Sequence, residues 1–381
     1  MKQRILLLVT VADWGGVQSF LTHFATDLLK EGHEVLLAAG GEGELWSRAK
    51  ALGIPTHRLQ HVVRDIRPWE DIKGIAEIRA LIKSWKPDAI DVNSSKIGIL
   101  GSIANTLVSP RPRCVYRIGG WVFLEPMSPK RNWMYRTAER ITAPLKDIII
   151  TVHPNDEKLA RSLHFSPRER IMTVPNGLDV ANFVSQLQTK QQARQTLGLP
   201  EHAFVYGTVA NAYPPKDLSN YLRRSDPILS EDHSAHLVII GEGPQFKELQ
   251  ATRATLPNAD RIHLVGQRTD ATELYSAFDV FVLPSIKEGM PWTILEAMAA
   301  RIPVVATDVG ACKWMLTSEK HGNAGICIPP NDTLSLQDAL RTLRNNAELR
   351  EALAHGGQYM SLNRFSWDIT YRGNRDALLP R

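Results

Sequence analysis

The sequence predicts an α/β protein made of two doubly wound, parallel-sheet domains. Three observations predict it. The chain has 381 residues, too many for one ordinary core and enough for two domains. Short runs of branched apolar residues alternate with helical patterns through the first half. The alternation then restarts after a polar stretch near the middle. Alternating strand and helix means parallel strands covered on both faces.

In the first half the strand candidates are Ile5–Val11, Val35–Ala39, Ala89–Val92, Cys114–Arg117 and Asp147–Val152. Between the first two, Val17, Phe20, Leu21, Phe24 and Leu28 recur at helical spacing, with Gly32 as a stop. A signal peptide would have to start at Ile5–Val11, but that apolar stretch is short, Asp13 cuts it off and a glycine pair follows, so it reads as a buried first strand. The second half offers Phe204–Val209, His236–Ile240, Ile262–Val265, Val280–Leu283 and Val304–Thr307. We expect a first domain over 1–178, a linker over 179–200 around the polar Gln186–Gln195, a stretch that could instead form a helix at the domain junction, and a second domain over 201–358. Ligands of open parallel sheets bind beyond the carboxyl ends of the strands. The expected site is therefore a cleft where two such edges face each other.

Composition narrows the class. Hydrophobic residues make up 43% and charged residues 22%, as in a globular protein. No apolar run reaches the ~20 residues that span a bilayer. Cys114, Cys312 and Cys327 are odd in number and irregularly spaced, which indicates neither a disulfide framework nor a zinc site, and a cytoplasmic setting is expected. The net charge of +5 is uneven, since residues 1–180 carry 25 basic against 19 acidic residues. Residues 111–146 concentrate the excess: Arg111, Arg113, Arg117, Lys130, Arg131, Arg136, Arg140 and Lys146 stand against Glu125 and Glu139, with Trp121, Phe123, Trp133 and Tyr135 among them. Two readings stand for this segment: an ordinary charged surface over core aromatics, or a face for the anionic inner leaflet of the cell membrane. Nucleic acid is not an expected partner.

The most informative segment is Glu288-Gly289-Met290-Pro291-Trp292-Thr293-Ile294-Leu295-Glu296. It follows strand Val280–Leu283 and the turn Pro284-Ser285. Pro291 suits a helix start. One carboxylate then lies in the loop and the second about one turn into the helix, and the free amides of the helix start form an anion site suited to a diphosphate. The pair Gly15-Gly16, between the first strand and first helix, lets backbone approach a phosphate or sugar closely.

With its flanking Pro-Ser and Leu-Glu-Ala-Met-Ala, this segment resembles the Glu-x7-Glu motif of glycosyltransferase family 4. The likeness continues through Val238–Pro244, Val265–Arg268, Leu274–Asp279, Pro303–Gly310 and Val174–Asp179. It implies the GT-B architecture of two Rossmann-like domains and retaining transfer of a sugar from a nucleotide-sugar donor to a glycan or lipid-linked acceptor. It also implies a terminal helix, within 359–381, that returns to the first domain. By the same resemblance Glu296 binds the ribose hydroxyls and Glu288 approaches the donor sugar. Gly289, Met290, Pro291, Ile294 and Leu295 line the donor, Gly241, Gln267 and Arg268 lie on its nucleotide side, and Gly15 and Gly16 face its diphosphate. No cofactor or metal is expected. A carboxylate suits both glutamate roles because it accepts two hydroxyl hydrogens in one plane.

The segment Gly207–Asp217 resembles the family's Gly-Arg-Leu…Lys-Gly stretch, whose Arg and Lys neutralise the leaving diphosphate. Lys216 takes the Lys position, but Asn211 stands at the Arg position and brings no charge. On the acceptor side, Asn93-Ser94-Ser95-Lys96 resembles a His-Ser-Ser-Lys segment, with Asn93 in place of histidine. Gly119 stands where a second histidine is usual, and Trp314 where a glutamate is common. A front-face retaining reaction tolerates the lost histidines, because the departing phosphate takes the acceptor proton. The alternatives are a catalytically silent GT-B subunit that binds nucleotide sugar or a partner enzyme, and a nucleotide-sugar epimerase.

Overall fold

The computed structural model of the chain describes residues 2–125, 127–320 and 322–379. These form two compact units, Met1–Pro175 with Thr370–Arg381, and Asn176–Ile369.

The first unit contains seven parallel strands: β1 (Arg4–Val11), β2 (Glu34–Gly40), β3 (Thr56–Leu59), β4 (Ala89–Asn93), β5 (Arg113–Ile118), β6 (Ile148–Thr151) and β7 (Arg170–Thr173), in the order β3-β2-β1-β4-β5-β6-β7. Five consecutive residues of β1, Ile5 to Val9, are buried, as expected of a strand covered on both faces. Each such side chain contributes roughly 1.5–3 kcal/mol. Crossovers from β1 to β2 and from β2 to β3 run one way along the sheet, and those from β3 to β4, β4 to β5 and β5 to β6 run the other. Right-handed connection therefore places the helices Pro68–Trp85, Ser95–Thr106 and Pro129–Thr142 in one layer. The helix Ser95–Thr106 lies in the middle of that layer, in contact with both others. Each helix starts at the carboxyl edge of the sheet.

The helix Pro129–Thr142 begins at Ser128, whose hydroxyl caps the Arg131 amide, with Pro129 in the first turn. It is fixed from below by a fully buried group: Lys146 Nζ lies 3.3 Å from Glu139 Oε2, and Tyr116 OH donates to Glu139 Oε1 at 2.8 Å.

The second unit contains β8 (Phe204–Val209), β9 (Ala235–Ile240), β10 (Ile262–Gly266), β11 (Val280–Leu283), β12 (Val304–Thr307) and β13 (Gly325–Ile328), all parallel, in the order β10-β9-β8-β11-β12-β13. The direction of winding reverses between β8 and β11.

Two boundaries differ from expectation. Of the two readings of residues 179–200, linker or junction helix, the helical one holds. These residues form the helices Val180–Gln186 and Lys190–Thr196 within the second unit. A capping box at Thr189 and Gln192 starts the second helix, and Arg194 Nη2 holds Asp279 Oδ2 at 2.7 Å. The second unit also extends past 358, through the helix Ala347–Asn363 to Ile369. The last helix, Trp367–Leu378, joins the first unit from Thr370, whose hydroxyl donates to the Pro175 carbonyl at 2.9 Å.

Candidate active site

In the second unit the reversal between β8 and β11 opens a crevice at their carboxyl ends. The loop after β8 carries Asn211 and Lys216, and the loop after β11 carries Ser285 and Glu288. These loops meet: the Ile286 amide donates to the Pro215 carbonyl at 2.8 Å, and Lys216 Nζ lies 2.6 Å from Glu288 Oε1. Ser285, fully buried, donates its hydroxyl to the same Glu288 oxygen at 2.6 Å, and Thr307 donates to the Ser285 carbonyl. The cation and carboxylate are thus held by residues from three strand ends.

The loop between the two glutamates is shaped by its neighbours. Asn176 Nδ2 donates to the Met290 carbonyl at 2.7 Å, and the Ala311 amide to the Gly289 carbonyl at 2.8 Å. Gly310 has φ of +55°, and a Cβ there would lie 2.3 Å from the Glu288 oxygen and 2.6 Å from that of Gly289. Only glycine fits so close an approach. Pro291 caps the helix Trp292–Ala299, which buries Ile294 and Leu295 against the core. These two side chains therefore fix the helix and leave its first-turn amides and Glu296 to face a ligand. Glu296, in the second turn, accepts a 2.6 Å hydrogen bond from the buried Tyr275 hydroxyl. Burial raises its pKa, and the Tyr275 hydrogen bond opposes that rise.

The remaining donor-side positions occupy neighbouring strand ends. Gly241, after β9, has φ of +140°, and a Cβ there would stand 2.2 Å from the Ala210 carbonyl. Its role is close packing of the loop that bears Asn211, which is itself exposed. Gln267 is exposed after β10, and Arg268 is committed to a bidentate pair with Asp270 at 2.7 and 2.6 Å. Trp314 packs edge-on against Phe365 at 5.3 Å and lies under the Arg364 guanidinium at 4.2 Å, so its place in this chain is structural.

In the first unit the reversal falls between β1 and β4. Gly15 and Gly16 follow β1 and open the helix Gly16–Lys30, which has no side-chain cap. Ser94 follows β4 with φ of 100°, and its hydroxyl hydrogen-bonds Thr10 Oγ1 at 2.6 Å rather than capping the helix Ser95–Thr106. Two helix starts with free amides therefore flank the crevice. The acceptor-side side chains differ from expectation. Asn93 is buried and donates to Asp91 Oδ2 at 3.0 Å, Ser95 is buried, and Lys96 is held by Asp71 Oδ1 at 2.7 Å and by the Asp65 carbonyl. Gly119 is open, with nothing within 4 Å of where a Cβ would stand. Beneath them burial pushes Asp91 up to about 6, opposed by the Asn93 hydrogen bond and the Arg117 charge. Burial brings Arg117 down to about 10, and its guanidinium lies 3.9 Å from the Phe20 ring centroid.

The basic segment 111–146 divides in two. Arg111 pairs with Asp147, Arg113 with Glu169 and Lys146 with Glu139, while Arg117, Trp121 and Phe123 are buried. Lys130, Arg131, Arg136 and Arg140 are exposed on the helix Pro129–Thr142, with no ion pair among the described residues. Sequence reasoning missed Ser285, Tyr275, Thr307 and Asn176 as supports of the site. All four lie in segments that carry the family resemblance, and Ser285 and Thr307 also stand at strand ends, but no residue type there signalled a supporting role.

Comparison with known proteins identifies the family. Residues 15–177 match the family described as "Glycosyl transferase 4-like domain", and residues 203–346 match "Glycosyl transferases group 1". A UDP-Gal:alpha-D-GlcNAc-diphosphoundecaprenol alpha-1,3-galactosyltransferase of Escherichia coli is 29% identical over 295 residues, covering 76% of this chain and 74% of that protein. The capsular polysaccharide biosynthesis glycosyltransferase CapM of Staphylococcus aureus is 23% identical, covering 85% and 86%. Among solved structures, Anabaena Alr3699/HepE in complex with UDP and glucose superposes with a TM-score of 0.80 at 20% identity, over 98% of each chain. No helix among the described residues is long and apolar enough to cross a membrane. The chain belongs to glycosyltransferase family 4 and is a glycosyltransferase of the GT-B fold.

Proposed function

We propose that this enzyme moves a sugar from a nucleoside-diphosphate sugar to a lipid-linked or glycan acceptor in cell-envelope polysaccharide synthesis, with retention at the anomeric carbon. The observation that carries the reading is the Lys216–Glu288 pair at the β8/β11 reversal, beside the start of the helix Trp292–Ala299. When the anomeric C–O bond breaks, negative charge develops on the diphosphate. Lys216 and the helix amides stabilise it without a metal ion. The acceptor oxygen bonds to the anomeric carbon on the face the phosphate leaves, and its proton passes to the leaving phosphate oxygen. No side-chain base is needed, which agrees with the burial of Asn93 and the absence of a side chain at Gly119. Glu296 binds the ribose, and Glu288, held by Lys216 and Ser285, receives the sugar hydroxyls.

UDP-sugars are the first donors to test, since UDP occupies the HepE structure. At about a hundred times its dissociation constant, a true donor stabilises the fold by ~2.7 kcal/mol. A thermal-shift screen in which no nucleotide sugar raises the melting temperature sinks the donor assignment. We further infer that the enzyme works in the cytoplasm, peripherally on the anionic inner leaflet, through the four unpaired bases of the helix Pro129–Thr142. Each contributes about 1 kcal/mol near such a surface.

A further inference from the structure

A second exposed feature lies in the same helix layer. The corner that leads from β3 into the helix Pro68–Trp85 presents Ile66, Trp69 and Ile72, which are 45%, 79% and 59% exposed. Trp69 and Ile72 lie about one turn apart on the helix and Ile66 just before its N-cap Arg67, so the helix start carries an apolar knob. None serves the core. The corner is nonetheless held in place, because Lys96 grips Asp71 Oδ1 and the Asp65 carbonyl. Its charges are balanced locally: Arg67 lies 3.6 Å from Asp65, Arg64 3.4 Å from Asp13, and Lys73 2.9 Å from Glu70.

The helix Pro129–Thr142 shows the complementary character. Its one acid, Glu139, is buried, so its exposed charges are all basic. Trp133, 68% exposed, stands near its start beside a groove lined by Met127, Pro129, Asn132, Trp133 and Arg136. Both helices start at the carboxyl edge of the sheet, with the helix Ser95–Thr106 between them. Two interaxial spacings of about 8–10 Å each separate them. One end of this layer therefore carries a neutral apolar knob and, two helix spacings away, the start of a basic helix with its own indole.

We propose that the Ile66–Trp69–Ile72 corner is the apolar anchor of a two-point docking surface for an anionic lipid bilayer. The helix Pro129–Thr142 supplies the electrostatic half. Indole rings prefer the headgroup level, and apolar burial adds to the attraction between basic residues and anionic lipid. This rests on the peripheral-membrane reading above and adds the anchor and the face presented. Bound so, the carboxyl edge that bears Ser94 and Gly119 lies toward the membrane that would hold a lipid-linked acceptor.

Co-sedimentation of the full-length protein with phosphatidylglycerol-containing and pure phosphatidylcholine vesicles, without donor, tests the proposal. Trp69→Ser with Ile72→Ser should lower partitioning roughly tenfold or more, at both low and high salt. Lys130→Glu with Arg131→Glu should lower it strongly at low salt and little at high salt. Ile66→Ser is the milder variant, and unchanged melting temperatures confirm folding. Wild-type protein that binds neither vesicle overturns the membrane reading and the anchor together. Wild-type binding that survives loss of Trp69 and Ile72 overturns the anchor alone. A concentration-dependent dimer in light scattering that Trp69→Ser abolishes, without any vesicle binding, assigns the knob to a second copy and also overturns the proposal.

Discussion

Replacing Lys216 with Met keeps the aliphatic stem and removes the charge opposite Glu288. At 2.6 Å and an effective dielectric constant near 20, the gross attraction is about 6 kcal/mol. Desolvation offsets much of it, and Lys216 is partly exposed. Ser285 continues to satisfy Glu288 in the variant. The net loss of stability should therefore fall below the ~3–5 kcal/mol typical of breaking a fully buried pair, at roughly 1–3 kcal/mol. For a unit of this size that lowers the melting temperature by several degrees, at about 2–4 °C per kcal/mol. The effect on turnover should be larger in kind: loss of one preorganised charge at a developing anion costs ~10²-fold in kcat. Steady-state kinetics at saturating acceptor, with melting curves on the same preparations, read both. A variant that keeps kcat within about threefold, or loses activity only as its folded fraction falls, refutes the role given to Lys216.

Three further outcomes follow from the same geometry. Glu296→Gln should weaken nucleotide binding and remove its pH dependence. In the wild type, affinity should fall as pH drops, beginning above the ordinary carboxylate range because burial raises Glu296; calorimetric titrations at several pH values decide this. Gly310→Ala must push a Cβ into the Glu288 and Gly289 carbonyls; a shift of about 1 Å in that loop should cost up to ~10²-fold in kcat/KM, and kinetics matching wild type would show that the loop does not position the donor. Arg117→Leu leaves Asp91 buried without its cation. A carboxyl whose folded pKa is raised costs nothing below its unfolded value and increasingly more as pH rises through the folded one. The variant should therefore lose up to roughly 2–3 kcal/mol more at pH 8 than near pH 4.5, since protonation of Asp91 caps the cost at about 1.4 kcal/mol per pH unit, measured as melting-temperature differences; equal losses at both would count against the Arg117 charge acting on Asp91.

The buried strands of both units were legible because a parallel sheet covered on both faces needs unbroken branched runs, as in Ile5–Val11 and Val280–Leu283. Three of the four edge strands were not; Ile262–Gly266 was the exception. Thr56–Leu59 exposes three of its four residues, so it carries no apolar signal, and Arg170–Thr173 and Gly325–Ile328 are short. Residues 179–200 looked like a linker because two seven-residue helices leave too few turns for an amphipathic pattern; a capping box and one ion pair decide their structure instead. The Glu288–Glu296 spacing and Lys216 were readable as a site because strand ends, glycines and charges recur there in order. The acceptor side was less so. A string of Asn, Ser, Ser and Lys does not reveal that Asn93 faces the core or that Lys96 is already committed to Asp71. Nor did composition separate the basic residues of 111–146 that hold the fold from the four that remain exposed. That division depends on whether each base meets a carboxylate from a distant element, such as Asp147 or Glu169.

The most direct test of the account is a product analysis. The enzyme is incubated with UDP-sugar and a lipid-linked glycan acceptor, and the new glycosidic linkage is examined by proton NMR for its anomeric configuration, with UDP release measured in parallel. The account predicts stoichiometric UDP release and a linkage with the donor's own anomeric configuration, both abolished to within about 1% by Lys216→Met. An inverted linkage contradicts the front-face mechanism. Tight nucleotide-sugar binding with no transfer or hydrolysis across donors and acceptors contradicts the enzyme itself and leaves a binding subunit in its place.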